Sequence, residues 1–177
     1  MNLRRGKRIL LCAAACIAAA LCAPAQKSVW RQASQSELIA ALPARAAVEN
    51  EHIETEMRTA SGIVDEHGRM IAGVVLLTAG YSADGKYSHY LVVQSPLRIG
   101  GFVLRPGQYA FGWTRGETRD TLAVHFNFAS NGKLAGAAVA HRIADSTRLD
   151  SLHIWPPEEK SMIQIGRFTI PYKLAGE

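Results

Sequence analysis

From about His52 onward, apolar or small residues alternate with charged ones at a period of two, with Ile53, Thr55, Met57 and Thr59 set against Glu54, Glu56 and Arg58. That period sends successive side chains to opposite faces of an extended strand. Further segments of the same kind follow at about 70–79, 87–95, 97–104, 108–114, 121–128, 133–142, 149–155 and 161–170, each rich in β-branched or aromatic residues and bounded by turn residues. Only the start of the chain reads as helical. Ser34-Gln35-Ser36-Glu37 matches a capping box and Glu37 to Leu42 follows as a short apolar helix, which Pro43 stops or kinks. A further turn through Ala44 to Val48 continues it, because Pro43 suits a first helical turn. The pattern predicts an all-β fold, an antiparallel β-sandwich or flattened barrel of about eight to nine strands preceded by a short N-terminal helix, with the sandwich favoured.

Two segments are apolar on both faces, Val74-Val75-Leu76-Leu77 and Leu91-Val92-Val93. The core covers one face of such a strand, so something else must cover the other. The N-terminal helix is the first expectation, and a second subunit the next. Turn residues then set register. Asp84-Gly85 and Asn131-Gly132 carry hairpin chemistry, and Pro106-Gly107 suits the centre of a type II turn. Counting outward from Asn131-Gly132 as a two-residue turn places Leu122, Val124, Phe126 and Phe128 opposite His141, Val139, Ala137 and Ala135 on the core face. Ala123, His125 and Asn127 then stand opposite Ala140, Ala138 and Gly136 on the other face. The same count from Pro106-Gly107 sets Leu104 and Phe102 across from Tyr109 and Phe111, and Gly100 across from Trp113.

The chain begins with Arg4, Arg5, Lys7 and Arg8, then an apolar stretch from Ile9 to Cys22, then Ala23-Pro24-Ala25. This is the pattern of an export signal over residues 1–25, cleaved before Gln26. The apolar stretch is shorter than the roughly 20 residues that span a bilayer, so no stable membrane span is expected after cleavage. Beyond it, residues 26–50 read as a helical lead-in and 51–177 as a single β domain. The signal takes Cys12, Cys16 and Cys22 with it, leaving a mature chain without disulfides in a compartment that would permit them. It also takes four of the 20 Lys and Arg that stand against 15 Asp and Glu, so the formal +5 falls to +1. The pI near 9.3 therefore reports the signal, and it gives no basis for a nucleic-acid partner. Localisation is expected to be periplasmic or secreted.

Leu104-Arg105-Pro106-Gly107-Gln108-Tyr109 resembles the Leu-x-Pro-Gly-x-Tyr turn common in prealbumin-like and carboxypeptidase-regulatory-like β-sandwiches. There the turn joins two strands and buries the Tyr. The resemblance covers six residues; it implies a sandwich and carries no function.

Chemistry is sparse. The chain has no Gly-x-Ser-x-Gly elbow, no His-Glu-x-x-His, no phosphate-binding glycine loop and, once the signal is removed, no cysteine nucleophile. Its six histidines, His52, His67, His89, His125, His141 and His153, include no closely spaced pair, and the register count sends His125 and His141 to opposite faces. No metal, cofactor or catalytic residue is therefore assigned. His125 and Asn127 share a strand face over small residues that leave room for a ligand or for the helix. With Trp113 and Tyr109 they form the candidate ligand-binding set. Glu49, Glu51, Glu54 and Glu56 read as solvated, and Trp155-Pro156-Pro157 as a rigid exposed corner. The leading expectation is an exported, non-catalytic binding or interaction domain for a small apolar ligand or a protein partner. Two alternatives stay open: an extracytoplasmic hydrolase-like enzyme using His125 as base, and a structural envelope component that forms a homodimer or larger homo-oligomer.

Overall fold

The computed structural model describes residues 29–143 and 149–174; the expected export signal over residues 1–25 and its expected cleavage before Gln26 lie outside them. Among the described residues, thirteen strands form an antiparallel sheet that curls almost into a barrel. They are β1 (Trp30–Gln32), β2 (Arg45–Val48), β3 (Glu51–Asp65), β4 (Met70–Leu76), β5 (His89–Val93), β6 (Leu97–Ile99), β7 (Phe102–Leu104), β8 (Gly107–Arg115), β9 (Thr121–Phe128), β10 (Leu134–Arg142), β11 (Asp150–Ile154), β12 (Met162–Gly166) and β13 (Phe168–Leu174). The wall runs β1-β3-β4-β5-β8-β9-β10-β13-β12-β11. The expected all-β antiparallel class is found, with a short helix ahead of most strands. The strand count exceeds eight to nine because β1 and β2 are added ahead of β3, and the expected strands 97–104 and 161–170 each turn back on themselves, as β6–β7 and β12–β13.

Helix α1 (Gln35–Ala41) forms where the capping box places it. Glu37 N–H donates to Ser34 Oγ at 3.4 Å and Ser34 N–H donates to the Glu37 carboxylate at 2.8 Å. The chain from Arg45 to Val48 is not the expected further helical turn. It is β2, paired with β3 from Arg45↔Glu54 to Val48↔Glu51. Ala46 and Val48 point into the protein while Arg45 and Ala47 stay exposed, a period-two pattern that Pro43 leaves free to form.

Two apolar layers result. The barrel interior packs Ile63, Ile71, Leu91, Tyr109, Phe111, Val124, Phe126, Ile154 and Ile163. A second layer lies outside β4, β5 and β8, where Leu38 of α1, its C-cap Leu42, Val48 of β2 and Ala83 and Tyr87 of the 77–88 loop pack on Ala72, Val74, Tyr90, Val92 and Ala110. The strands that are apolar on both faces are thus covered from within the chain.

Register differs from the two-residue count. In the β9–β10 connection only Gly132 takes a positive φ (67°), so the type I′ geometry, which needs two such residues, is absent. Both Asn131 and Gly132 N–H groups donate to the Phe128 carbonyl, and the ladder is irregular between Leu134 and Gly136. His125 consequently faces Ala137, and Val124 faces Ala138. One residue of slip sends every β10 side chain to the opposite face. Gly136, Ala138 and Ala140 are therefore interior, and the outward face of β10 carries Ala137, Val139 and His141. His125 and His141 share that outward face rather than opposing it, but they stand at different rungs of the ladder, His141 opposite Thr121.

The 97–115 segment also pairs differently. Its tight turn is Gly100-Gly101, between β6 and β7, with Gly100 at φ 55°. Pro106-Gly107 instead joins β7 to β8, which pair with different neighbours: β8 lies between β5 and β9, so Tyr109 faces Leu91 and Phe128. Asp84-Gly85 lies within the long 77–88 loop of the β4–β5 hairpin rather than forming a two-residue turn, with only Gly85 at positive φ. The aromatic cluster survives in three dimensions, because the β6–β7 hairpin folds Phe102 over the barrel's end, 5.8 Å from Phe126 between ring centroids. A Cβ on Gly136 would lie 2.4 Å from the Phe102 ring, so this glycine is the seat of that ring. Gly136→Ala should therefore cost about 1–3 kcal/mol of stability in chemical denaturation. A neutral result would place Gly136 outside the core.

Candidate functional site

The sheet separates the four candidate ligand-binding residues. His125 and Asn127 project from the outward face of β9, His125 between Gly112 and Ala137. Asn127 Nδ2 donates to the Gly132 carbonyl at 2.9 Å and so braces the β9–β10 turn. Tyr109 and Trp113 project inward from β8. Tyr109 is buried, its hydroxyl donating to the Arg105 carbonyl at 2.8 Å across the Pro106-Gly107 connection. The alanine and glycine floor expected beneath His125 and Asn127 is inside the barrel, on the side of Phe126. His125 forms no hydrogen bond with an acid or hydroxyl among the described residues.

Trp113 marks a different place. It stands 38% exposed at the end of the barrel opposite the β6–β7 hairpin. With Leu122 and Phe168 it forms the apolar wall of an open cleft of about 880 Å³, whose rim is the end of β8 and the β8–β9 loop, bearing Arg115, Glu117 and Arg119. The loop is braced internally: Gly116 N–H donates to the Thr121 carbonyl at 3.1 Å, and Thr118 N–H to Thr121 Oγ1 at 3.2 Å.

Below Trp113 lies His89, 2% exposed, its ring stacked on Phe111 at 4.7 Å and tilted against Trp113 at 5.3 Å. Burial lowers its pKa to about 4, against the smaller opposing effect of the Ser151 carbonyl, so the ring is neutral near pH 7. A carbonyl only accepts, so Nε2 carries the proton toward Ser151 O at 3.3 Å, and Nδ1 faces Ser88 Oγ at 3.0 Å. His89 thereby ties β5 to β11 and packs behind Trp113, which lines the cleft. Sequence reasoning passed over His89, Arg115, Arg119 and Phe168. The available signal was an arginine pair, Arg115 and Arg119, at and just beyond the end of the strand that carries Trp113.

The remaining polar features are structural. Glu49, in a left-handed conformation (φ 54°), donates its N–H to the Ala129 carbonyl, while its carboxylate accepts from Lys86 Nζ at 2.5 Å and Tyr87 Oη at 2.8 Å. Lys86 and then Tyr87 hold that carboxyl below its ordinary range. Glu51 accepts from Ser82 N and Oγ, and Glu54 from Tyr81 Oη at 3.1 Å. These carboxylates clasp the 77–88 loop onto the barrel. Trp155 is half-buried rather than exposed on its corner, donating its Nε1–H to Gln164 Oε1 at 3.2 Å, with its ring tilted against His153 and covered by Lys160 Nζ at 3.9 Å. A second, polar cleft of about 380 Å³ follows the seam between β3 and β11, lined in part by Gln32, Arg58, Thr59, Ser151 and His153.

Among the described residues no three His, Cys, Asp or Glu side chains are grouped to hold a metal ion, and no helix is long and apolar enough to cross a membrane. The chain matches no known protein family, no curated protein and no solved structure.

Proposed function

We propose that the protein is an exported, non-catalytic binding domain that takes its ligand at the open end of the barrel. The observation that carries this proposal is Trp113, a large aromatic left over one-third exposed in a concave cleft whose other walls are Leu122 and Phe168. Clefts of roughly 300–1,000 Å³ with apolar walls and a few polar rim groups are the usual form of small-molecule sites. A ligand threaded through the interior is disfavoured, because Tyr109, Phe111, Phe126 and their neighbours fill that space. Export rests on the basic and apolar pattern of residues 1–25, and it would deliver the domain to the periplasm or the medium.

Native mass spectrometry of the mature protein, taken from its own compartment, is the test. The expected result is a chain starting at Gln26 with a small molecule bound, whose removal shifts the indole N–H resonance of Trp113 and leaves those of Trp30 and Trp155 in place. A protein that carries nothing, and whose Trp113 resonance ignores apolar and amphiphilic probes alike, overturns the proposal. Self-association is the second reading, favoured by Leu134 and Val139 of β10, which are 58% and 51% exposed. A monomer by light scattering at micromolar concentration removes it.

A further inference from the structure

We infer that the ligand of the barrel mouth is an anionic amphiphile, with a carboxylate or phosphate monoester held by Arg115 and Arg119 and an apolar body laid against Trp113, Leu122 and Phe168. The inference rests on the mouth being the binding site and adds the charge class of what binds there. Arginines elsewhere in this structure are often committed: Arg31 to Glu37, Arg45 to Glu54, Arg58 to Glu56, Arg69 to Asp65 and Arg142 to Asp120. Arg98, Arg105, Arg115, Arg119 and Arg167 form no ion pair among the described residues, and of these only Arg115 and Arg119 line the cleft.

A guanidinium keeps its charge at any physiological pH and presents paired N–H donors that match the two oxygens of a carboxylate or phosphate. Here one ends β8 and the other sits on the braced loop that follows, both beside an apolar wall, so head and tail of an amphiphile would be met at once. Glu117 is the one acid lining the cleft. It leaves an excess of one positive charge on the rim and should weaken anion binding. Trp113 alone would favour a cation over its ring face, so the arginines and the indole make opposite predictions for a charged headgroup.

The test follows the Trp113 indole resonance while the mature protein is titrated with four probes of equal chain length: decanol, decanoate, decyl phosphate and decyltrimethylammonium. The two anions are expected to bind at least about tenfold more tightly than decanol. That preference should shrink in 0.5 M salt and in the Arg115→Gln/Arg119→Gln double variant, and should grow in Glu117→Gln. Both arginines are exposed on the loop side of the cleft, and an unchanged melting curve checks that the variants fold. The ratio of decanoate to decyl phosphate affinity separates a carboxylate source from a phosphate source. Equal binding of decanol and the anions, or tighter binding of the ammonium probe, overturns the inference and leaves the mouth as a site. Anion preference that survives loss of both arginines also overturns it. Failure of all four probes to move Trp113 overturns the site itself.

Discussion

Replacing Phe126 by alanine is expected to lower the free energy of unfolding by about 3–5 kcal/mol. The side chain is fully buried, and its ring lies 5.1 Å from Phe111 and 5.8 Å from Phe102 between centroids. Phe111 in turn stacks on His89 under the cleft, so Phe126 is the middle of an aromatic column running from the hairpin-covered end of the barrel to its mouth. Truncation removes the contacts of both neighbours, and the closed wall limits how far they can collapse into the gap. The measurement is the denaturation midpoint at unchanged denaturant dependence. A loss under about 1 kcal/mol would mean that the interior is not packed around this ring.

Asp65→Ala is expected to cost about 3 kcal/mol, through a different mechanism. Asp65 closes the β3–β4 turn with a fully buried carboxylate. Oδ1 accepts from the His67 and Arg69 N–H groups at 2.9 and 2.8 Å, and Oδ2 accepts from Arg69 Nε at 2.6 Å. Alanine would leave those backbone donors without their acceptor. Burial by itself would raise the carboxyl pKa, but the Arg69 side chain together with the Arg69 and His67 amides outweighs it, and the net shift is downward. A folded pKa below the unfolded one gives stability that is complete above about pH 4 and is lost as the pH falls through the lower folded value. The stability gap between the native chain and Asp65→Ala should therefore be constant at neutral pH and narrow below about pH 4. A gap that stays constant to pH 2 would show that the carboxylate is not the source of the effect.

The legible and illegible parts of this fold have separate physical causes. Strand β9 declares its own faces, because Leu122, Val124 and Phe126 alternate with Ala123, His125 and Asn127, and burial follows that alternation. Its partner does not. Leu134-Ala135-Gly136-Ala137-Ala138-Val139-Ala140 contains little contrast in size or polarity, so turn geometry and the space needed by Phe102 decide which side faces in. A turn with one left-handed residue instead of two was enough to reverse it. The capping box at Ser34 and Glu37 was readable because both halves of the motif are local. The cleft was not, since Trp113, Arg119 and Phe168 meet only after the sheet has curled.

The seam where that curl ends is held by a side chain. Strand β11 lies beside β3 without a backbone ladder between them among the described strands, and the Ile154 amide donates to the Ser61 hydroxyl at 2.9 Å. An unpaired strand edge is a template for a neighbouring chain, and natural sheets blunt it with charge, proline or a covering element. Here the two margins of one sheet cover each other, and a serine hydroxyl that bridges residues far apart in sequence occupies the gap into which another chain's strand would have to fit.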